Sequence, residues 1–239
     1  MRIDINCDLG EGMGNDKEII PFITSANIAC GYHAGDTDTM WATIEYCITN
    51  KVAIGAHPSF LDRANFGRTE LQLAPDEIYE LVIQQLIIID ELLSSFETLL
   101  RHVKPHGALY NLSAKNADTA HAIAKAVKNY NSNLVLVGLS GSHSISEAKK
   151  LGLQTASEVF ADRTYQDNGL LTPRTAGNAL ITDMDQMTAQ VLQMVNEGTV
   201  TSVSGKKIPI TTETICIHGD GKFSLEFAKA IHHILTQSE

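Results

Sequence analysis

Apolar residues along this chain fall into short runs that end on polar clusters, each followed by a stretch with apolar positions three and four apart. The short runs predict strands at residues 2–7, 25–31, 52–57, 103–106, 134–139, 153–160 and 214–218. The longer stretches predict helices at 37–50, 75–97, 115–130, from Ser142 to Lys150, at 183–197, and a last one with Phe227, Ile231 and Leu235 inward. Residues 199–210 read as a hairpin around Ser204-Gly205. Strand then helix, about seven times over, implies a parallel sheet with helices outside. An open doubly wound sheet concentrates its polar residues at one switch point. Here nearly every strand ends on them, which favours a closed, somewhat irregular TIM-like barrel of about seven strands.

Those strand ends carry the candidate chemistry. The stretch S-A-N-I-A-C-G-Y-H-A-G-D reaches His33 just past a buried-looking strand. His57, His106 and His218 close three further strands, each beside a glycine or proline. Asp8 ends the first strand, with Glu11 close behind, and Asp4, Asn6 and Asp8 share one face of it. We expect Asp8, His33, His57, His106 and His218 to line one pocket at the C-terminal ends of the strands. Arg68, Lys104, Arg163 and Arg174 lie in the loops or beside those ends and are candidates for a substrate carboxylate or phosphoryl group, since guanidinium pairs bidentately with such anions. Tyr110 adds a phenol nearby, and residues 166–174 form a turn-rich loop of the kind that clamps substrates. Ser140-Gly141-Ser142-His143 suits a ligand contact or a helix cap, and the cap is favoured. The methionine stripe of residues 184–194 reads as core, and His232 and His233 as surface.

Composition narrows the class. With 239 residues, 44% of them hydrophobic and 19% charged, the chain can bury a sizeable core in one domain, residues 1–239. A net charge of -10 argues against a nucleic-acid surface. The apolar run at 86–89 is too short to cross a bilayer, and the long helix around it suits burial by neighbours or by a second copy in a homo-oligomer. Four scattered cysteines without C-x-x-C spacing read as buried free thiols of a cytoplasmic protein. No G-K-[ST] ending follows Gly12-Met13-Gly14-Asn15, so a Walker-type ATP site is not expected.

N-C-D-L-G-E-G, S-A-N-I-A-C-G-Y-H-A-G-D, A-I-G-A-H-P-S-F, N-F-G-R, V-K-P-H-G-A-L-Y-N, E-V-F-A-D-R-T-Y and C-I-H-G-D occur in one order from Ile3 to about Ala230. Together they resemble the LamB/YcsF lactam-utilisation family, whose characterised members serve as the A subunit of ATP-dependent 5-oxoprolinase. The resemblance implies an irregular (β/α)7 barrel of the glycoside hydrolase/deacetylase kind. It also implies cleavage of 5-oxo-L-proline (pyroglutamate) to L-glutamate with ATP as co-substrate, with Mg in the complex, and partner subunits B and C.

Opening a lactam needs a water nucleophile, a stabilised oxyanion and a proton for the leaving amine. Histidine suits water activation, with an unperturbed pKa of ~6.5. Two other readings stay open at this point. One is a stand-alone metal-dependent amidase or deacetylase, with a divalent ion on ligands such as Asp8, His33 and His57. The other is a non-catalytic subunit that captures a small acid.

Overall fold

Strand β1 (Asp4–Leu9) alternates Asp4, Asn6 and Asp8 on one face with Ile5, Cys7 and Leu9 on the other. The apolar set packs outward into the core under the helices, while the polar set faces the interior of the sheet. Arg2, the expected start of this strand, lies outside the residues that the computed structural model describes, which are 3–221 and 223–237. Parallel strands β2 (Ser25–Ala29), β3 (Ala53–His57), β4 (His102–Val103), β5 (Val135–Leu139) and β6 (Gln154–Phe160) follow. Strands β7 (Thr199–Thr201) and β8 (Lys207–Pro209) form the separate hairpin, and β9 (Thr214–His218) returns to pair with both β6 and β1. The sheet thus closes as a seven-stranded barrel in the order β1-β2-β3-β4-β5-β6-β9.

Eight helices accompany these strands among the described residues: α1 (Asp16–Ile19), α2 (Thr37–Asn50), α3 (Pro75–Ser94), α4 (Gly107–Lys115), α5 (Ala117–Tyr130), α6 (His143–Lys150), α7 (Met184–Glu197) and α8 (Ser224–Gln237). Asp36 accepts a hydrogen bond from the Thr39 amide at 2.8 Å and caps α2, and Asp183 does the same for α7 through Gln186. Met187, Val191 and Met194 of α7 are core, as their spacing implies. The region between His106 and Tyr130 departs from the pattern. Its start holds a further helix, α4, separated from α5 by Asn116, whose side chain accepts from the Thr119 amide at 2.9 Å. Ala108, Leu109, Tyr110, Ser113 and Ala114 are all buried, so α4 shows no single apolar stripe and its period is hidden. Helix α3 is less enclosed than its sequence suggests, because Ile87 stays 41% exposed. All four cysteines are buried free thiols.

The barrel interior is polar where most such barrels stack branched apolar side chains. Asn6 donates to Glu158 at 2.9 Å and to Thr214 at 2.7 Å, and Asn27 donates to Asn6 and Asp8. Ser25 donates to Asp4, and His102 meets Asn27 at 2.8 Å. Buried polar groups are tolerated only when paired, so this lattice also fixes register: a one-residue slip of β1 would strand each of its members. Gly55 makes room for it. A Cβ there would stand 2.1 Å from the His102 ring.

Candidate active site

Asp8 and His218 are directly opposed across the β1 and β9 pair, and Asp8 opposes Asn27 on β2. Lys104, the residue directly after β4, reaches in between them. It is 2% exposed, and its ammonium lies 2.8 Å from Asp8 Oδ1, 2.9 Å from Glu158 Oε1, 3.2 Å from Asn6 Oδ1 and 3.0 Å from Cys216 Sγ. Burial alone would lower its pKa, but Asp8, Cys216 and Glu158 outweigh that and hold it well above the ordinary lysine value. Burial likewise works to raise the pKa of Asp8, and His57 and Lys104 together bring it well below the usual range. A charged pair therefore sits at the base of a narrow cleft, walled also by His57, His106, Tyr110, Arg174 and His218.

Proton positions around the histidines follow from their partners. His57 Nδ1 is 2.7 Å from the Lys104 carbonyl and His106 Nε2 is 2.9 Å from the Phe66 carbonyl. Carbonyls only accept, so both nitrogens donate. That leaves His57 Nε2 and His106 Nδ1 facing each other with lone pairs at 2.9 Å. Two facing lone pairs take up one proton or one cation between them, and the two rings act as one group. His33 sits behind them, its ring stacked on His106 at 3.8 Å rather than on the cleft wall. Ser59 gives its own proton to the Phe60 carbonyl, so it accepts from His33 Nδ1 at 2.9 Å. His33 Nε2 is then a lone pair 3.1 Å from Glu11 Oε1, and Glu11 must supply the proton. Burial, helped by Asp8 and Asp220, raises the Glu11 pKa well above the usual range, and burial and then His57 lower His33 to about 2, in agreement with that polarity. His106 is also pushed well down, by burial and by His33 and His57.

Ligand atoms of Glu11, His33, His57 and His106 lie within 4.8 Å of one another, and those of Asp8, Cys216 and His218 form a second such group. Imidazole and carboxylate donors suit zinc or a similar ion. The stacked rings of His33 and His106 are nearly parallel, at 6°, so one ion cannot lie in both ring planes. Glu11, His57 and His106 fit a cation better, with Asp8 Oδ2 standing 3.4 Å from His57 Nε2. His218 is tied to Asp162 at 2.8 Å and stacks on Phe160.

The four cations expected near the strand ends divide. Lys104 is at the cleft base. Arg68 pairs with Asp220 across the mouth. Arg163 is 3% exposed and spends its guanidinium on the carbonyls of Thr172, at 2.6 Å, and Ala179, at 3.3 Å. Arg174 lines the cleft and makes no hydrogen bond or ion pair among the described residues. Sequence patterns do not single out three residues of this centre: His102, Glu158 as the inward partner of Lys104, and Asn27. His102 continues the period of two through Lys104 and His106, and that is the one signal available for it.

The profile of the LamB/YcsF family matches residues 3–239. This chain belongs to the LamB/YcsF family. Within it, the chain is 52% identical to the 5-oxoprolinase A subunit of Staphylococcus haemolyticus (strain JCSC1435), over 99% of this chain and 97% of that protein. It is 52% identical to the corresponding 5-oxoprolinase chain of Clostridium kluyveri, over 97% and 93%. The crystal structure of the lactam utilization protein from Thermus thermophilus superposes with a TM-score of 0.91 at 38% identity, covering 100% of this chain and 97% of that one. The barrel found here is thus the fold of a LamB/YcsF member.

Proposed function

We propose that this chain is the A subunit of an ATP-dependent 5-oxoprolinase, opening 5-oxo-L-proline to L-glutamate in the cytoplasm together with subunits B and C. The observation that carries the reading is the charged Lys104/Asp8 pair under the facing histidines at the base of the cleft, in a chain half identical to relatives of that name. No helix among the described residues is long and apolar enough to cross a membrane.

Arg174, unpaired among the described residues, is the cation on the wall that takes the substrate carboxylate. ATP, with Mg in the complex, transfers its phosphoryl group to the lactam oxygen, which makes the ring carbon electrophilic. Water then adds to that carbon and gives one proton to the His57/His106 pair. Asp8 orients His57, and Lys104 offsets negative charge as the tetrahedral species forms. The C–N bond breaks as the nitrogen takes up a proton, leaving an acyl phosphate that a second water hydrolyses to glutamate and phosphate. A divalent ion held by Glu11, His57 and His106 would occupy the same lone pairs and supply Lewis-acid charge beside the reacting carbonyl in place of that proton acceptor. His33 and His218 support the site through Glu11, His106 and Asp162.

The test is glutamate release from 5-oxoproline with ATP, by this chain alone and with co-expressed partners. The complex should turn over, and the isolated chain should show no 5-oxoproline-dependent ATPase. Turnover by the pure single chain would refute the partner requirement; an inactive complex would refute the substrate.

A further inference from the structure

Ser142 stands at the N-cap of α6 with extended backbone, yet its side chain makes no capping bond. Its hydroxyl is buried, the residue being 9% exposed, and has no hydrogen-bond partner. At α2, α5 and α7 the corresponding Asp36, Asn116 and Asp183 each satisfy a first-turn amide. The first-turn amides of His143, Ser144 and Ile145 in α6 meet no acceptor among the described residues. These four donors are left to water or to an acceptor from outside the chain.

A second open cavity, of about 360 Å³, lies over this turn, lined by Lys115, Ser142, His143, Ser146 and Asn168. Lys115 brings a cation whose ion pair with Glu70 is exposed. The cavity adjoins the catalytic cleft on the same face of the barrel. Leu170 lines one and its neighbour Leu171 the other, and α4 likewise sends Tyr110 and Asn111 to the cleft and Ala114 and Lys115 to the cavity.

We propose that the turn from Ser140 to His143 is a phosphate-binding subsite beside the cleft. The amides and the helix dipole of α6 suit an anion, the Ser142 hydroxyl turns to donate to one of its oxygens, and Lys115 balances its charge. The ligand is a phosphate group, either inorganic phosphate or the terminal phosphoryl of a nucleotide. Nothing in this proposal depends on the lactam reading, since it concerns binding and not turnover.

The full chain, labelled with ¹⁵N, is titrated with inorganic phosphate and separately with ADP. The amides of Gly141, His143 and Ser144 should shift saturably with at least one of the two. A response to phosphate identifies the free ion as a ligand, and a response to ADP alone identifies a nucleotide. Ser142→Ala should weaken that binding about tenfold while leaving the melting temperature unchanged, because no cap bond is lost. Arg174→Ala, which alters the neighbouring cleft, should leave these shifts in place. Absence of saturable shifts at the turn with either ligand, or unchanged affinity in Ser142→Ala, would overturn the proposal.

Discussion

His57 and His106 share whatever lies between their facing nitrogens, so removing one disables both. His106→Ala in the complex should therefore cut kcat by ~10²–10⁴ with KM little altered; an unchanged rate removes the pair from the mechanism. The arginines separate by what they already hold. Arg174 has no partner among the described residues, and its loss should raise KM for 5-oxoproline by one to two decades, from a charge-assisted contact of about 1.5–3 kcal/mol. Arg163→Ala should instead lower the melting temperature, since two carbonyls of the loop over the cleft lose their donor. Steady-state kinetics beside melting curves tell these apart, and the reverse pattern would exchange the two roles. In sequence Arg163 and Arg174 stand on the same footing, because both follow a strand end. What distinguishes them is tertiary: the loop from Thr172 to Ala179 folds back onto one guanidinium and leaves the other facing the cleft.

Elements are legible in the sequence where one face is apolar and the other wet. Helix α2 can be read to its ends because Asp36 caps it and Met40, Ile44 and Cys47 line a single side. Helix α4 cannot, being buried on several sides, and the short β4 spans two residues where the apolar run suggests four. The residue between strands that no pattern marks is Gly55. It sits in β3 with the His102 ring filling the place of its missing side chain. Gly55→Ala should destabilise the fold by about 1–3 kcal/mol or more, because an added methyl there meets a ring already fixed by Asn27. Gly205→Ala in the hairpin, at φ 88° with nothing within 4 Å, should cost only about 1 kcal/mol. Urea midpoints compare the two; equal shifts would mean that β3 and β4 can part without cost, against the interlocked interior described here.

At the scale of the whole molecule, burying neutral histidines makes the barrel acid-sensitive. Burial holds His33 at about 2, His102 at about 4 and His106 well below its ordinary value, whereas all three take protons at ~6.5 when unfolded. Below ~6.5 the unfolded chain thus binds three protons that the folded chain refuses, and stability falls as pH falls. Glu11 acts in the opposite sense. Its folded pKa is raised, so above the unfolded value of ~4.3 the folded chain keeps a proton that the unfolded chain has lost, and stability falls as pH rises through that window. Three protons against one leave a net slope of about 2.7 kcal/mol per pH unit between ~4.3 and ~6.5, with stability greater at the higher pH. Asp8, with its lowered pKa, adds a loss only at still lower pH, as it is protonated through its folded value. Glu11→Gln removes the opposing group and keeps a donor for His33 Nε2. The variant should therefore remain folded, gain stability at neutral pH, and show an acid slope about one and a half times that of the natural chain, about 4.1 kcal/mol per unit. Denaturant midpoints measured across that range decide it. An unchanged slope in Glu11→Gln would mean that Glu11 is ionised in the folded protein, and with that the proton assigned between Glu11 and His33 would have to move to the ring.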